Sequence, residues 1–244
     1  FQGDVSSING VYKLQEGHPI NQLYVLSVDR IVRDQADLDY VQSLVDKNPD
    51  YFATYQRPEL GDFLYADANG DGELNPDDRV EIGHGDLPRF SFGANIGLAW
   101  NNFDFSMRFQ GVGNYQVYYN NQAFRFVTVL GQSLIKDITD NAWTPENPYN
   151  SIYPRLRNDA NSKNNVASDA FVHNAAYLRC KNIQLGYTVP KHFSRKFFVE
   201  SLKVYVSVDN LFTITNFPGL DPEVAATVGY PTTHQYSLGV SISL

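Results

Sequence analysis

Residues 90–110, FSFGANIGLAWNNFDFSMRFQ, decide the fold, because large apolar side chains recur there at every second position. The intervening residues are small or polar, and the alternation resumes at Phe103 after the pair Asn101-Asn102. A period of two indicates a β-strand with one apolar face, and asparagine tolerates the positive φ of a tight two-residue turn. The stretch therefore predicts a β-hairpin whose strands, of about ten residues each, can cross a bilayer at a tilt.

Four further segments are predicted to be strands, namely residues 19–31, 177–189, 201–213 and 235–244. The last of them keeps its apolar phase to the final residue, Leu244. The connections between strands alternate in length. The short ones are residues 101–102 and 190–200, and the long ones are residues 32–87, 111–176 and 214–234. Short periplasmic turns opposite long extracellular loops are typical of outer-membrane barrels. If the last strand ends in the periplasm, all three long connections are extracellular.

Composition agrees with this class of protein. The chain has 244 residues, a formal net charge of −8 and a single cysteine, which argues against nucleic-acid binding and excludes an internal disulfide. Aromatic residues make up 14% of the chain while hydrophobic residues reach only 43%, and no apolar run approaches the roughly 18 residues of a membrane helix. Because Phe1 is neither a start methionine nor part of a leader, we expect a removed leader or missing upstream sequence.

The long connections contain two predicted helices. Asp34 can cap a helix that ends before Pro49, and residues 122–140 can form a second helix. Internal repeats and Pro/Gly-rich linkers are lacking, so the sequence predicts no second domain.

The clearest motif that could carry chemistry is DANGDGELNPDD at residues 67–78. Its spacing matches a calcium-binding loop, in which several oxygens converge on one hard cation from a tight turn. The predicted ligands are Asp67, Asn69, Asp71, Glu73 through its carbonyl, Asn75 directly or through water, and Asp78. Position 12 is an aspartate instead of the bidentate glutamate, and Pro76 argues against a flanking helix pair. The alternatives are an isolated structural calcium loop and an asparagine- and aspartate-rich turn without an ion.

No catalytic residue is predicted. The five histidines (His18, His84, His173, His192 and His234) are far apart and have no metal-ligand spacing. Gly111-Val112-Gly113 lacks the third glycine of a dinucleotide site. Charged residues such as Asp104, Arg108 and Asp209 lie on polar strand faces, which would line the lumen of a barrel or the solvated face of a soluble sheet.

Several stretches resemble the SusC/RagA-type TonB-dependent transporters, in the order in which that family has them. They are EGHPINQLY (16–24), YADANGDGELNPDDRVEIG (65–83), residues 87–118, WTPENP (143–148), YPRL (153–156), YLRCKNIQLGYTVP (177–190), residues 202–223, and the terminal GYP and HQYSLGVSISL. Together they span nearly the whole chain. Two departures are Leu244, where the family usually ends in an aromatic residue, and Cys180, where it tends to have an aliphatic one.

The resemblance implies an all-β fold, a transmembrane antiparallel β-barrel of about 22 strands in the outer membrane of a Gram-negative bacterium. Residues 1–244 would be the C-terminal part of that barrel, about six strands, without the plug domain and the N-terminal barrel strands. Six strands cannot close a barrel, and an open edge in lipid is not viable, so the functional molecule is expected to be longer. The implied activity is TonB-energised import of oligosaccharides or peptides, with a SusD-like lipoprotein as an extracellular lid.

Two expectations about sites follow from that arrangement. Calcium bound at residues 67–78 would make an extracellular loop rigid beneath or beside the lipoprotein lid. Aromatic and amide side chains would line the substrate cavity, namely Tyr115, Tyr118, Tyr119, Asn120 and Gln122. Such side chains suit sugars, but they also suit the packing of loops.

The main alternative is a secreted β-sandwich that binds carbohydrate and is stabilised by calcium. Composition permits it, whereas the strand lengths, the alternation of loop lengths and the run of family motifs argue against it. A hydrolase is less favoured than either, because no acid/base constellation stands out.

Overall fold

The computed structural model describes residues 7–120, 124, 134–158, 163–224 and 230–243. The strands are β1 (Ser7–Asn9), β2 (Tyr12–Leu14), β3 (Gln22–Val25), β4 (Val28–Ile31), β5 (Phe63–Tyr65), β6 (Val80–Ile82), β7 (Phe90–Trp100), β8 (Phe103–Gly113), β9 (Gln116–Tyr118), β10 (Val172–Asn174), β11 (Tyr177–Thr188), β12 (Ser201–Thr215) and β13 (Gln235–Ser243). The α-helices are α1 (Gln35–Lys47), α2 (Lys136–Asn141) and α3 (Lys191–Ser194), and short 3-10 helices include Pro76–Asp78. No helix in the described ranges combines the length and apolarity needed to span a membrane.

The predicted hairpin is confirmed. Phe90 faces Gly113 and Trp100 faces Phe103 across the antiparallel pair of β7 and β8, and Asn101 takes a φ of 52° in the turn. These two strands form one edge of a five-stranded antiparallel sheet in the order β13-β12-β11-β8-β7. Because neighbouring strands are antiparallel, the short connections 101–102 and 189–200 leave one end of the sheet and the long ones leave the other.

The prediction of a sixth long strand at residues 19–31 is wrong. This segment forms two short strands, β3 and β4, which pair with β2, β6 and β5 instead of joining the large sheet. Leu23, Val25 and Leu26 are all completely buried. A strand with one exposed apolar face cannot bury residues of both phases, so the segment belongs to a packed core.

Most of two long connections, 32–87 and 111–176, fold with residues 1–31 into a compact unit, which the sequence did not predict; this unit is called the unit formed by the long connections. One unit comprises residues 1–87 and 117–173, and the other comprises residues 88–116 and 174–244, which contain the large sheet. In the first unit, Val32, Val41 and Leu64 are buried together against Leu38, Leu44, Phe52 and Leu60. The helix predicted after Asp34 is confirmed, since the Asp34 side chain accepts a hydrogen bond from the Asp37 amide and the helix ends at Lys47, with Asn48 as its C-cap. Of the segment 122–140, only α2 is helical among the described residues.

Candidate functional site

The large sheet has two chemically different faces. Apolar side chains on one face are strongly exposed, among them Phe90, Phe92, Ile96, Leu98, Trp100, Tyr236, Leu238, Val240 and Ile242. Soluble proteins rarely expose a contiguous apolar surface of this kind unless it contacts a membrane or a partner. A second sheet packed on this face would make the unit a sandwich, but the described residues of the unit contain a single sheet with more than two strands.

The opposite face carries paired polar side chains, as the alternation predicted. Lys203 donates a hydrogen bond to Asp104 at 2.8 Å, and the two side chains meet over Gly186. A Cβ at position 186 would lie 2.6 Å from an Asp104 oxygen, so glycine is required for this ion pair to cross β11. Asn182 donates to Asp209 at 2.7 Å on the same face. These pairs suit a wall that faces water.

A buried ion-pair cluster fastens residues 216–224 and 230–234 to the polar face. Arg179 is 3% exposed and donates to Asp221 at 2.6 Å and to Glu223 at 2.9 Å. Lys181 stands at a β-bulge of β11, which turns it toward Glu223, at 2.7 Å. Burial alone would raise the pKa of Asp221, but hydrogen bonds from Thr232 and Arg179 hold it well below its usual range.

A second buried cluster lies within the unit formed by the long connections. The Asp62 carboxylate is completely buried and accepts hydrogen bonds from Arg157 at 2.6 and 2.8 Å. Lys163 lies 3.1 Å from the same carboxylate, and the Asn164 amide donates to it at 3.1 Å. Asp62 therefore joins the start of β5, within one long connection, to residues roughly 100 positions later in the chain.

The predicted calcium loop is folded tightly around its own carboxylates. The Asp67 oxygens accept the amides of Gly70 and Gly72 at 2.7 and 2.9 Å. Asp78 is completely buried and accepts the amides of Ala68 and Asn75 at 2.9 Å each. Gly70 and Gly72 have φ values of 75° and 82°, which explains why glycine stands at both positions.

Three of the six predicted ligands converge. One carboxylate oxygen each of Asp67, Asp71 and Asp78 lies within 4.8 Å of the other two. The Asn69 side-chain oxygen accepts the Asp71 amide, and the Asn75 oxygen accepts the Asp77 amide as the cap of the Pro76–Asp78 helix. The Glu73 side chain lies outside this carboxylate cluster, and its amide donates to Asp71 at 2.9 Å.

A cavity of about 590 Å³ opens beside this loop, within the same unit. Asp67, Asp71 and Gly72 line one side, while α1 and the residues that follow it line the other. The loop is held to that helix end by two hydrogen bonds, from the Asn48 side chain to the Gly72 carbonyl at 2.8 Å and from the Leu74 amide to the Tyr51 carbonyl at 2.9 Å.

The predicted substrate-lining residues occupy different settings. Tyr119 is buried, with its ring 5.7 Å from that of Phe124 and 6.3 Å from that of His173. Tyr118 lies in β9 with its ring 5.9 Å from Phe171, and Asn120 donates to the Tyr118 hydroxyl. Tyr115 is half-buried just before β9, whereas Gln122 lies outside the described residues, as does Leu244. Packing explains the position of Tyr119, and a role of the set in binding stays a prediction.

Sequence comparison finds TonB-dependent receptors. The chain is 36% identical over 166 residues to the TonB-dependent receptor P3 of Formosa agariphila, a match that covers 67% of this chain and 15% of that protein. It is 29% identical over 185 residues to the TonB-dependent receptor SusC of Bacteroides thetaiotaomicron, covering 73% of this chain and 17% of SusC. The chain thus matches about one sixth of the length of these relatives. No protein-family model matches it.

Structure comparison finds the RagAB peptide importer. The match to the importer in its closed-closed state covers 99% of this chain and 25% of the importer's chain, with a TM-score of 0.72 and 22% identity. In its open-open state it matches the whole of this chain, with a TM-score of 0.71. The two kinds of comparison agree with the resemblance seen in the sequence motifs and confirm the fold class.

Proposed function

We propose, from the premise that this chain is a segment of a SusC/RagA-type TonB-dependent receptor, that the protein to which it belongs imports nutrients across the bacterial outer membrane. The observation that carries the proposal is the long-stranded sheet with one exposed apolar face and one polar face of paired charges. Such a sheet has lipid on one side and an aqueous lumen on the other when further strands close it into a barrel.

The roles of this segment, of the rest of the receptor and of its partners follow from that arrangement. Residues 1–244 are the C-terminal part of the barrel, and the plug and the remaining strands belong to other parts of the protein. Energy comes from TonB, and a SusD-like lipoprotein covers the extracellular side, where the long connections lie. The cargo is an oligosaccharide or a peptide. The similarity to a peptide importer supports the peptide class, and the oligosaccharide class rests on the family resemblance of the sequence motifs.

Deletion of the gene for the full-length protein in its source bacterium tests the proposed function. We expect uptake of one class of labelled cargo, oligosaccharides or peptides, to be lost and to return with the wild-type gene. A tagged receptor, extracted in detergent, is expected to retain a surface lipoprotein. Unchanged uptake of both classes would contradict import.

Replacing Leu238 by arginine tests the placement of the sheet in lipid. Leu238 lies in the middle of β13 on the apolar face and is 75% exposed. An arginine facing lipid near the bilayer midplane costs about 2–4 kcal/mol, so folded receptor in the outer membrane should fall severalfold. Ser237→Arg is the matched control, because the adjacent residue points to the polar face. Equal losses for the two variants, measured by heat-modifiable gel mobility of outer-membrane fractions, would argue against lipid on the Leu238 side.

A further inference from the structure

The short connection between β11 and β12, residues 189–200, is named the basic connection because it concentrates positive charge. Lys191, Arg195 and Lys196 lie close together there, in a chain whose formal net charge is −8. Their side chains are exposed, and within the described part of the chain no carboxylate forms an ion pair with any of them. By contrast, Lys203 on the neighbouring strand pairs with an aspartate. The charge of the basic connection is therefore uncompensated among the described residues.

The basic connection is folded and attached to the large sheet, so its exposed side chains have defined positions. Ser194, in the middle of the connection, is 1% exposed. At one end, the Val189 amide donates to the Leu202 carbonyl of β12 at 2.8 Å. At the other end, the Glu200 amide donates to the Ser243 carbonyl of β13 at 2.8 Å. The cations are thus presented from the end of the sheet and not from a free tail.

A row of aromatic side chains crosses the apolar face at the same end of the sheet. Trp100 faces Phe103 across the turn between β7 and β8, and Phe103 faces Tyr187 on β11. The rings of Phe103 and Tyr187 lie 4.8 Å apart, and Trp100 is 74% exposed. Aromatic residues are enriched where a membrane protein passes from hydrocarbon to headgroups. Because the basic connection begins two residues after Tyr187, it lies at headgroup level when lipid covers the apolar face.

The basic connection also exposes two phenylalanines. Phe198 is 92% exposed and takes a left-handed backbone conformation, with a φ of 59°. That conformation is unfavourable for a bulky side chain, and contact of the ring with water is unfavourable as well. Phe193 is 48% exposed, and the Lys196 ammonium lies 5.7 Å from the centre of its ring. Apolar rings beside cations suit a surface that offers hydrocarbon and phosphate together.

We propose that the basic connection binds anionic phospholipid of the periplasmic leaflet. Lys191, Arg195 and Lys196 contact the headgroup phosphates, and the rings of Phe193 and Phe198 enter the acyl boundary beneath them. Basic clusters next to a membrane segment recognise anionic headgroups by charge complementarity. The row of aromatic residues makes this surface continuous with the apolar face. The inference rests on the proposed placement of the sheet in the outer membrane, but not on the import activity or its cargo.

Lipid titration of the full-length receptor, delipidated in an uncharged detergent, tests the proposal. Dioleoyl-phosphatidylglycerol and dioleoyl-phosphatidylcholine are the probes, and native mass spectrometry measures the bound fraction of each. The wild type is expected to bind the anionic lipid more tightly, because each basic residue near an anionic surface strengthens binding about fivefold. Replacing Lys191, Arg195 and Lys196 together by glutamine is expected to weaken phosphatidylglycerol binding by about tenfold or more and to change phosphatidylcholine binding little.

The matched control replaces three exposed cations outside the basic connection by glutamine, namely Lys47, Arg89 and Lys136. It removes the same charge and is expected to bind phosphatidylglycerol like the wild type. Equal phosphatidylglycerol binding by the two triple variants would overturn the proposal. Equal affinity of the wild type for the two lipids would also overturn it, and would favour an acidic periplasmic protein as the partner of these cations.

Phe198→Asn measures the contribution of the ring without changing the turn. Asparagine tolerates a positive φ, so the backbone should be retained. Removing an apolar ring from the acyl boundary should weaken binding of both lipids by about tenfold, whereas loss of the cations weakens binding of the anionic lipid selectively. Unchanged binding of both lipids by Phe198→Asn would contradict insertion of the ring.

The inference and the proposed function can fail separately. Heat-modifiable gel mobility shows whether each variant still folds in the outer membrane. If Leu238→Arg reduces folded receptor as expected while the wild type shows no preference for phosphatidylglycerol, lipid binding by the basic connection is wrong and the placement of the sheet in lipid stands. If Leu238→Arg and Ser237→Arg behave alike, the placement itself is wrong and the inference falls with it.

Discussion

Replacing Asp62 by asparagine is expected to destabilise the unit formed by the long connections by about 3–5 kcal/mol. The carboxylate is completely buried, and Arg157 and Lys163 lie within 3.1 Å of it. Removing its charge leaves these cations without their buried counter-ion, and the cost of an uncompensated buried charge exceeds that of most surface changes. Hydrogen exchange at the Phe63 amide reports this loss directly, because that amide donates to Asn164, which in turn donates to Asp62.

Glu59→Gln is the control for Asp62→Asn. Glu59 also pairs with Arg157, and with Arg155, but its side chain is 62% exposed, and exposed ion pairs contribute about 0–1 kcal/mol. Exchange at Phe63 should therefore rise strongly in Asp62→Asn and little in Glu59→Gln, with the full-length receptor in detergent. Equal effects would mean that burial of the charge does not determine stability at this site.

Stability of this unit should also fall in acid. Burial would raise the pKa of Asp62, but hydrogen bonds from Arg157 and the Glu59 amide, together with the charges of Lys163 and Arg155, hold it below its ordinary value of 3.8. Because the folded pKa is lowered, the contribution is present above the ordinary value and is lost as the pH falls through the folded one. Exchange measured from about pH 5 down to about pH 2, a range that extends below the ordinary value, should show less acid sensitivity in Asp62→Asn.

Local patterns in the sequence predicted the parts of the fold that depend on near neighbours. The hairpin at residues 90–110 follows from a period of two and a turn pair, and α1 follows from the Asp34 cap and the stop before Pro49. The prediction of one long strand at residues 19–31 was wrong because the apolar residues there change phase between Val25 and Leu26. That change indicates burial on both sides instead of a one-faced membrane strand.

Contacts between distant residues could not be predicted from one sequence. Asp62 meets Arg157 across 95 positions, and Arg179 meets Asp221 across 42. In the sequence alone, nothing distinguishes any of these residues from an ordinary surface charge of an acidic chain. The convergence of Asp67, Asp71 and Asp78 was predictable because they lie within twelve consecutive residues, whereas Tyr51, which lines the cavity beside them, carries no signal in the sequence.

Replacing Arg179 by methionine is expected to release residues 216–224 and 230–234 from the sheet. Arg179 and Asp221 are both nearly completely buried, so truncating one partner leaves the other charge uncompensated at a cost of about 3–5 kcal/mol. The amides of Glu223 and Thr232 donate to Asp221 at 2.9 Å each, and they report the change by hydrogen exchange. Since about 1.4 kcal/mol corresponds to a factor of ten, their exchange should accelerate about 100-fold or more.

Lys181→Met is the control for Arg179→Met, because it removes a partly exposed cation of the same cluster instead of the buried one. Lys181 reaches the same Glu223, but its side chain is 25% exposed, and its loss should change exchange by less than about tenfold. Adding Asp221→Asn to Arg179→Met removes the stranded charge and should restore part of the protection. Equal acceleration in the two single variants, or no recovery in the double variant, would show that the segment is held by its packing and not by the Arg179–Asp221 ion pair.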